Sequence, residues 1–363
     1  MFIGQTPTEV ILYIILYVGA TLISLIASLY LYLRKNNVFA SDITTPLPLR
    51  RWTAAFFAVV FLSHVWWFFF YIFSGDYKSV SCIVYAMIDC ILLLITIPGM
   101  LFAMLQDRKR RSWPVVLGAI PYCIFGILHI INPNDEYIDM AIGYILLFYV
   151  GFSVYMEYAL RQYGRWLRDN FADLENKELW ATQVMIAILL ILVLADGFDS
   201  GSLAFSCVLQ VIEIAFFVLL LWRVETLPLL EEGSASEQEQ PQPQQPMPLP
   251  SNIEELLEEK CANAELYLQH DLTLQQLAQA VGINRFYLSQ YFSRQGTTYN
   301  DYISDLRIKH FTKLYRKTSA EGLSVTAQQL ASDSGYRSYT TFSLAFKKRM
   351  GQSVSSWMRD TTE

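Results

Sequence analysis

The sequence predicts an all-α chain in two parts: a polytopic helical membrane bundle of seven spans, then an all-α region built on a duplicated helix-turn-helix unit. Three observations predict it. Seven apolar runs of membrane length fill residues 1–224, a polar stretch without apolar period covers 225–250, and 251–363 holds two similarly built segments whose key alanines, Ala278 and Ala331, lie about fifty residues apart.

The apolar runs lie near 10–33, 52–73, 80–105, 113–131, 138–160, 179–195 and 203–222. About twenty residues suffice to cross the hydrocarbon core. Seven such runs, with charge confined almost wholly to the gaps, exclude a soluble bundle, because too few amphipathic helices remain to wrap them. The first run is expected to stay as a span: Met1–Val10 has no basic residue and no small-residue cleavage site follows. Orientation follows from the gaps. Arg34, Lys35, Arg50, Arg51, Arg108, Lys109, Arg110, Arg111, Arg161, Arg165, Arg168 and Lys177 fall in alternate gaps. The other gaps hold only Lys78, beside Asp76, Asp135 and Glu136. This predicts an outside N-terminus and a cytoplasmic C-terminus.

A charge at mid-bilayer is costly, so ionisable residues inside spans are site candidates. His64, Asp89 and Glu213 lie mid-span, Glu157 nearer the cytoplasmic end of the fifth run, and His129, Asp196 and Asp199 towards the outer face. Two readings stand for His64, Asp89 and Glu213: a polar cavity sensing a small molecule or a proton, or hydrogen bonds that fix helix packing. No span carries two ligands three or four apart, so no metal site is expected, and no cofactor. Cys82, Cys90, Cys123, Cys207 and Cys261 show neither CxxC nor zinc spacing. Cys82 and Cys207 could pair near the outer surface, but buried free thiols are the commoner fate.

Glu231–Pro250 is rich in Gln, Glu, Pro and Ser and reads as a disordered, partly extended linker open to proteases. Beyond it, the units at about 273–293 and 325–348 solve one packing problem twice. Ala278 and Ala331 let two helices approach closely, and four residues on Gly282 and Gly335 occupy the turn. Leu288 and Phe292, then Phe342 and Phe346, pin the second helix of each unit. Thr273 and Thr326 are the expected N-caps of the first helices, with Gln276 and Gln329 three residues on, as in a capping box. Asn284, and Ser338 or Thr340, are expected to cap the second helices. The whole chain is acidic, at −6, yet Val281–Met350 carries eleven Lys/Arg against four Asp/Glu. Such a local surplus is what a phosphate-binding surface needs.

From about Asn252 to Met358 the sequence resembles the DNA-binding domain of the AraC family of transcription regulators. Tyr299-Asn-Asp-Tyr-Ile-Ser-Asp-Leu-Arg307-Ile-Lys-His-Phe-Thr-Lys-Leu is similar to that family's linking helix, and Gly335-Tyr-Arg-Ser-Tyr-Thr-Thr-Phe-Ser-Leu-Ala-Phe-Lys-Lys-Arg-Met-Gly351 to its signature. Two departures are visible: Gly351-Gln-Ser-Val-Ser-Ser-Trp357 stands for Gly-x-Thr-Pro-x-x-Tyr, and Leu344 stands where many members have an arginine. The resemblance implies two recognition helices in successive major-groove segments of double-stranded promoter DNA, and RNA polymerase as a partner. Base contacts are expected from Arg285, Phe286, Ser289 and Gln290, and from Arg337, Tyr339, Thr340 and Ser343. Lys347, Lys348 and Arg349 are expected on phosphates.

No phosphate loop, nucleophile elbow, HExxH, kinase or receiver-domain signature occurs, so nothing in the sequence argues for an enzyme. The leading expectation is a membrane-integral one-component transcription regulator answering a small-molecule or membrane signal. The alternative is a transporter-like or passive anchor whose DNA-binding domain is released by proteolysis in the linker. Two reading units let one chain cover two groove segments, so a homodimer is not required, though the membrane part could supply one.

Overall fold

The computed structural model describes residues 7–34, 37, 44–73, 79–174, 179–196, 202–230, 252–322 and 325–362. The expected linker Glu231–Pro250 lies outside the described residues, as do Lys35, Asp76, Lys78, Lys177, Asp199 and Ser324. Two compact units emerge, one of Met1–Arg161 with Leu179–Gln238, the other of Gln162–Glu178 with Glu239–Glu363.

The first unit contains α1 (Pro7–Leu33), α2 (Leu47–Phe73), α3 (Val80–Met104), α4 (Trp113–Leu117), α5 (Ala119–Ile131), the start of α6 (Asp135–Asn170), α7 (Trp180–Asp196) and α8 (Leu203–Thr226). Among the described residues, six stretches are long and apolar enough to cross a membrane: α1, α2, α3, α4 with α5, α6 and α8. The sixth apolar run folds as α7, whose 17 residues reach about 25 Å, at the short end of what spans a bilayer.

Small residues let the first helices close up, as helix pairs in lipid require. Ala20, Ser24 and Ala27 form a buried stripe on α1, and Ser28 donates its hydroxyl to the Ala54 carbonyl of α2 at 2.9 Å. Gly99 of α3 admits the Trp52 ring; a Cβ there would lie 2.5 Å from it. Phe56 and Phe57 of α2 meet Phe216 and Phe217 of α8 edge to face at 6.1 and 5.3 Å. The outward faces are apolar: Ile15, Ile26, Leu147 and Val154 are 62–72% exposed, a pattern that suits lipid rather than water. Polar ties gather near the helix ends. Arg34 pairs with Glu225, Arg110 grips Asp107 at 2.6 and 3.0 Å, and Gln106 fastens the chain leaving α8 through Pro228 O and Leu230 N, both at 2.9 Å. All five cysteines are free thiols.

The second unit takes in the end of α6 and the residues after it, then α9 (Ile253–Leu257), a π-helical turn (Glu258–Asn263) and a 3₁₀ turn (Leu266–Leu268). Then come α10 (Leu274–Val281), α11 (Arg285–Arg294), α12 (Tyr299–Ala320), α13 (Ala327–Asp333), α14 (Tyr339–Met350) and α15 (Val354–Thr362). Two cores form, one per helix-turn-helix. The first gathers Leu277, Ala278, Leu288 and Phe292 with Ile303, the second Leu330, Ala331, Phe342 and Phe346 with Phe311. The long helix α12 therefore serves both, its first half facing one core and its second half the other. Between them sits Arg307, almost wholly buried. Its Nε donates to Tyr267 O at 2.7 Å and its Nη2 to Gln269 O and His270 O at 2.7 and 3.2 Å, while the guanidinium lies 5.4 Å from the Tyr336 ring centroid.

The helix ends follow the sequence. Thr273 and Gln276 make a reciprocal capping box, and Thr326 accepts from Gln329 N at 3.2 Å. Asn284 caps α11 and Ser338 caps α14. Gly282 and Gly335 both take positive φ, 75° and 86°. At the departure from the signature, Ser353 Oγ accepts from Ser356 N at 3.2 Å and starts α15 without the threonine-proline pair, and Trp357 fills the second core.

Candidate nucleic-acid interface

Each recognition helix turns one face to its core and the opposite face outward. On α11, Leu288 and Phe292 are buried, while Phe286 is 62% exposed and Arg285, Ser289 and Gln290 are half-buried. On α14, Phe342 and Phe346 are buried, while Tyr339, Thr340, Leu344, Lys347 and Lys348 are exposed and Ser343 half-buried. Arg337, in the turn before α14, is exposed. The outward residues recur three and four apart, so each helix offers one continuous strip to a groove. On α11 the strip lies in the N-terminal half; on α14 it runs from Tyr339 in the first turn to Lys347 and Lys348 in the last.

Residues 277–360 match the family described as a helix-turn-helix domain. Residues 277–360 are an AraC-type helix-turn-helix domain. DNA-binding transcription regulation of AraC type follows. The chain matches no curated protein and no solved structure. Within the AraC-type domain, several basic side chains already hold acidic partners. Lys348 Nζ lies 2.6 Å from Asp301, Arg349 2.7 Å from Asp305, and Arg337 3.7 Å from Asp271. Each pair has an exposed basic partner, and ion pairs at a surface are worth little. Burial pushes the Asp301 carboxyl up, but hydrogen bonds from Lys348 and Thr298 and the Lys348 charge outweigh it and hold the group below its ordinary value. Burial pushes the Cys261 thiol to about 11, which keeps it an inert core group.

One feature of the AraC-type domain's surroundings escaped the sequence. Asn170–Asp173, far outside residues 277–360, lie against the first helix-turn-helix. Phe171 bridges to Thr273, Ala172 N donates to Leu272 O at 3.2 Å, and the Asn300 amide donates to Phe171 O and Ala172 O at 3.1 and 2.8 Å. Asn170 Oδ1 accepts a hydrogen bond from Arg285 Nη2. No periodicity marks these residues, and the polar-apolar alternation is too short to read as a strand.

In the first unit the candidate sensing residues have definite partners. Asp89 Oδ2 accepts from Ser63 Oγ at 3.1 Å, Trp66 Nε1 at 3.2 Å and Trp67 Nε1 at 2.5 Å, all from α2, and its buried Oδ1 has no hydrogen-bond partner among the described residues. His64 Nδ1 faces Val60 O at 2.9 Å and its Nε2 lies 3.6 Å from Glu213 Oε2. With Nδ1–H spent on a carbonyl, the imidazole and the carboxylate can meet favourably only through a shared proton. Tyr17 donates to His64 O at 2.6 Å. The two indoles are partners of a candidate residue that sequence reasoning missed, because adjacent tryptophans in a span show no polar role until a carboxylate on the next helix is placed beside them.

Proposed function

We propose that this chain is a membrane-integral one-component transcription regulator. It sits in the bacterial cytoplasmic membrane with its N-terminus outside, and its AraC-type domain reads promoter DNA from the cytoplasm beside RNA polymerase. A signal received among the spans, at the cluster of His64, Asp89 and Glu213, changes what that domain does. The observation that carries the reading is the union, on one polypeptide, of an AraC-type domain with six membrane-length helices and the shorter apolar helix α7, which is taken as the seventh span that this topology needs. A passive anchor needs neither this many spans nor a buried carboxylate bonded by three side chains.

The test is to crosslink tagged full-length protein to chromosomal DNA in living cells and sequence what it holds. Discrete peaks beside a few operons are expected, each with two short elements about one helical turn apart. Asp89→Asn is expected to change the response to the signal and leave the sites themselves unaltered. Peaks that arise only with a soluble C-terminal fragment would replace this reading with proteolytic release.

Arg285→Ala and Gln290→Ala are each expected to cost ~1–3 kcal/mol at particular base positions. Binding to a panel of single-base-substituted duplexes checks this. A uniform loss over the panel would assign the side chain to phosphate instead.

A further inference from the structure

We infer that Asn170–Asp173 is a lock on the first recognition helix, which DNA must displace before Arg285 can read a base. The inference rests on the proposal that Arg285 reads DNA. Within the second unit the segment is seated by backbone as well as side chains. Ala172 N and the hydroxyl of Tyr299 both donate to Leu272 O, at 3.2 and 3.0 Å. Asn300, in the first turn of the linking helix α12, spans two successive carbonyls of the segment with one amide. Ala172 belongs to the first hydrophobic core, and Asp173 is almost wholly buried where its charge acts on Arg307. A single isolated antiparallel bridge between Phe171 and Thr273 completes the seat.

The seat brings Asn170 to Arg285. Asn170 is itself fixed, its Nδ2 donating to Trp166 O at 2.6 Å and its ring neighbours Trp166 and Phe171 meeting edge to face at 5.6 Å. Its carbonyl oxygen therefore points one way, and Arg285 Nη2 takes it. A guanidinium reads guanine with two N–H groups in a fork; the bond to Asn170 engages Nη2 and fixes the direction of the whole planar group, so turning a fork to a base costs this bond. Docking and reading then compete, and apparent affinity is the intrinsic affinity reduced by the fraction of undocked molecules. Asn170 is also the last residue of α6, a helix of 36 residues and about 54 Å, against a hydrocarbon core of about 30 Å. The lock thus lies at the end of the helix that carries the fifth apolar run.

The test uses the full-length chain in lipid nanodiscs and a duplex selected by that preparation from a randomised library. Asn170→Ala is expected to tighten binding roughly 3- to 10-fold, what the net worth of one hydrogen bond allows. Asn170→Asp, which gives Arg285 a charged partner, is expected to weaken it by a similar factor. In an Arg285→Ala background both effects should vanish. Asn300→Ala, which releases the segment without touching Asn170, should tighten binding as Asn170→Ala does. Unchanged or weaker binding by Asn170→Ala, with the unfolding temperature preserved, overturns the lock and leaves Asn170 as a residue that positions Arg285. If Arg285→Ala alone costs nothing at any base, the base-reading role falls and the lock with it. If Arg285→Ala costs affinity while Asn170→Ala and Asn300→Ala bring no gain, the lock falls alone.

Discussion

Replacing Arg307 by methionine is expected to destabilise the second unit by about 3–5 kcal/mol, enough to abolish DNA binding at growth temperature. The stem survives in that substitution and the fork does not. Three carbonyls, of Tyr267, Gln269 and His270, lose their donor; the buried one, Tyr267 O, costs about 1–3 kcal/mol when left unpaired, and each of the two at the more exposed Gln269 and His270 about 0.5–1.5 kcal/mol. Relief from burying the guanidinium offsets part of this, since desolvation of a charge is itself costly; burial already pushes the Arg307 pKa down. The offset is incomplete because the partners are backbone groups, which no side-chain substitution removes. Arg307→Lys is expected to behave nearly as badly, since one ammonium cannot reproduce a planar fork aimed at carbonyls of three residues. Thermal unfolding of the full-length protein, followed through the Trp357 environment in the second core, measures the loss. A cost under about 1 kcal/mol would mean that water takes the place of the guanidinium.

That arginine was legible in the sequence only as part of a family pattern; its work was not. The elements that could be read directly are those whose cause is local. Apolar runs declare their own length, and Ala278 with Gly282, or Ala331 with Gly335, declare a helix, a turn and a close approach within five residues. Thr273, Asn284 and Ser338 cap because a side-chain oxygen two or three residues from an orphan N–H needs no distant partner. The outward strips on α11 and α14 followed from the same 3.6-residue period that buried Phe292 and Phe346. What stayed hidden joins residues far apart in the chain. The indoles of Trp66 and Trp67 gain a role only when α3 sets Asp89 beside them, and His64 meets Glu213 across 149 positions of sequence. Asn170 and Arg285 are separated by 115 positions, and the segment between Arg168 and Trp180 reads as an ordinary polar gap. The short helix α7 is a smaller case: its apolar run was plain, but composition does not fix how many of its residues stay helical.

The two turn glycines, equivalent in sequence, are expected to respond very differently to the same substitution. Gly282→Ala should cost about 1–2 kcal/mol, the penalty for holding a Cβ in the left-handed region, because at φ 75° nothing lies within 4 Å of the added atom. Gly335→Ala should cost about 3–5 kcal/mol, the same strain with a backbone collision added. At φ 86° its Cβ would stand 2.9 Å from both Cα and O of Leu268 and 3.0 Å from Tyr267 O. Asparagine separates the two causes, since it tolerates the left-handed region better than alanine does: Gly282→Asn should recover most of the loss, and Gly335→Asn none. The collision falls on the turn that Arg307 holds through Tyr267 O and Gln269 O. Gly335→Ala and Arg307→Met therefore strike one structure from two sides, and their combined cost should be less than the sum. Full additivity in that cycle would mean that the turn does not yield to the added methyl, and that the strain is absorbed within α13 and α14 instead.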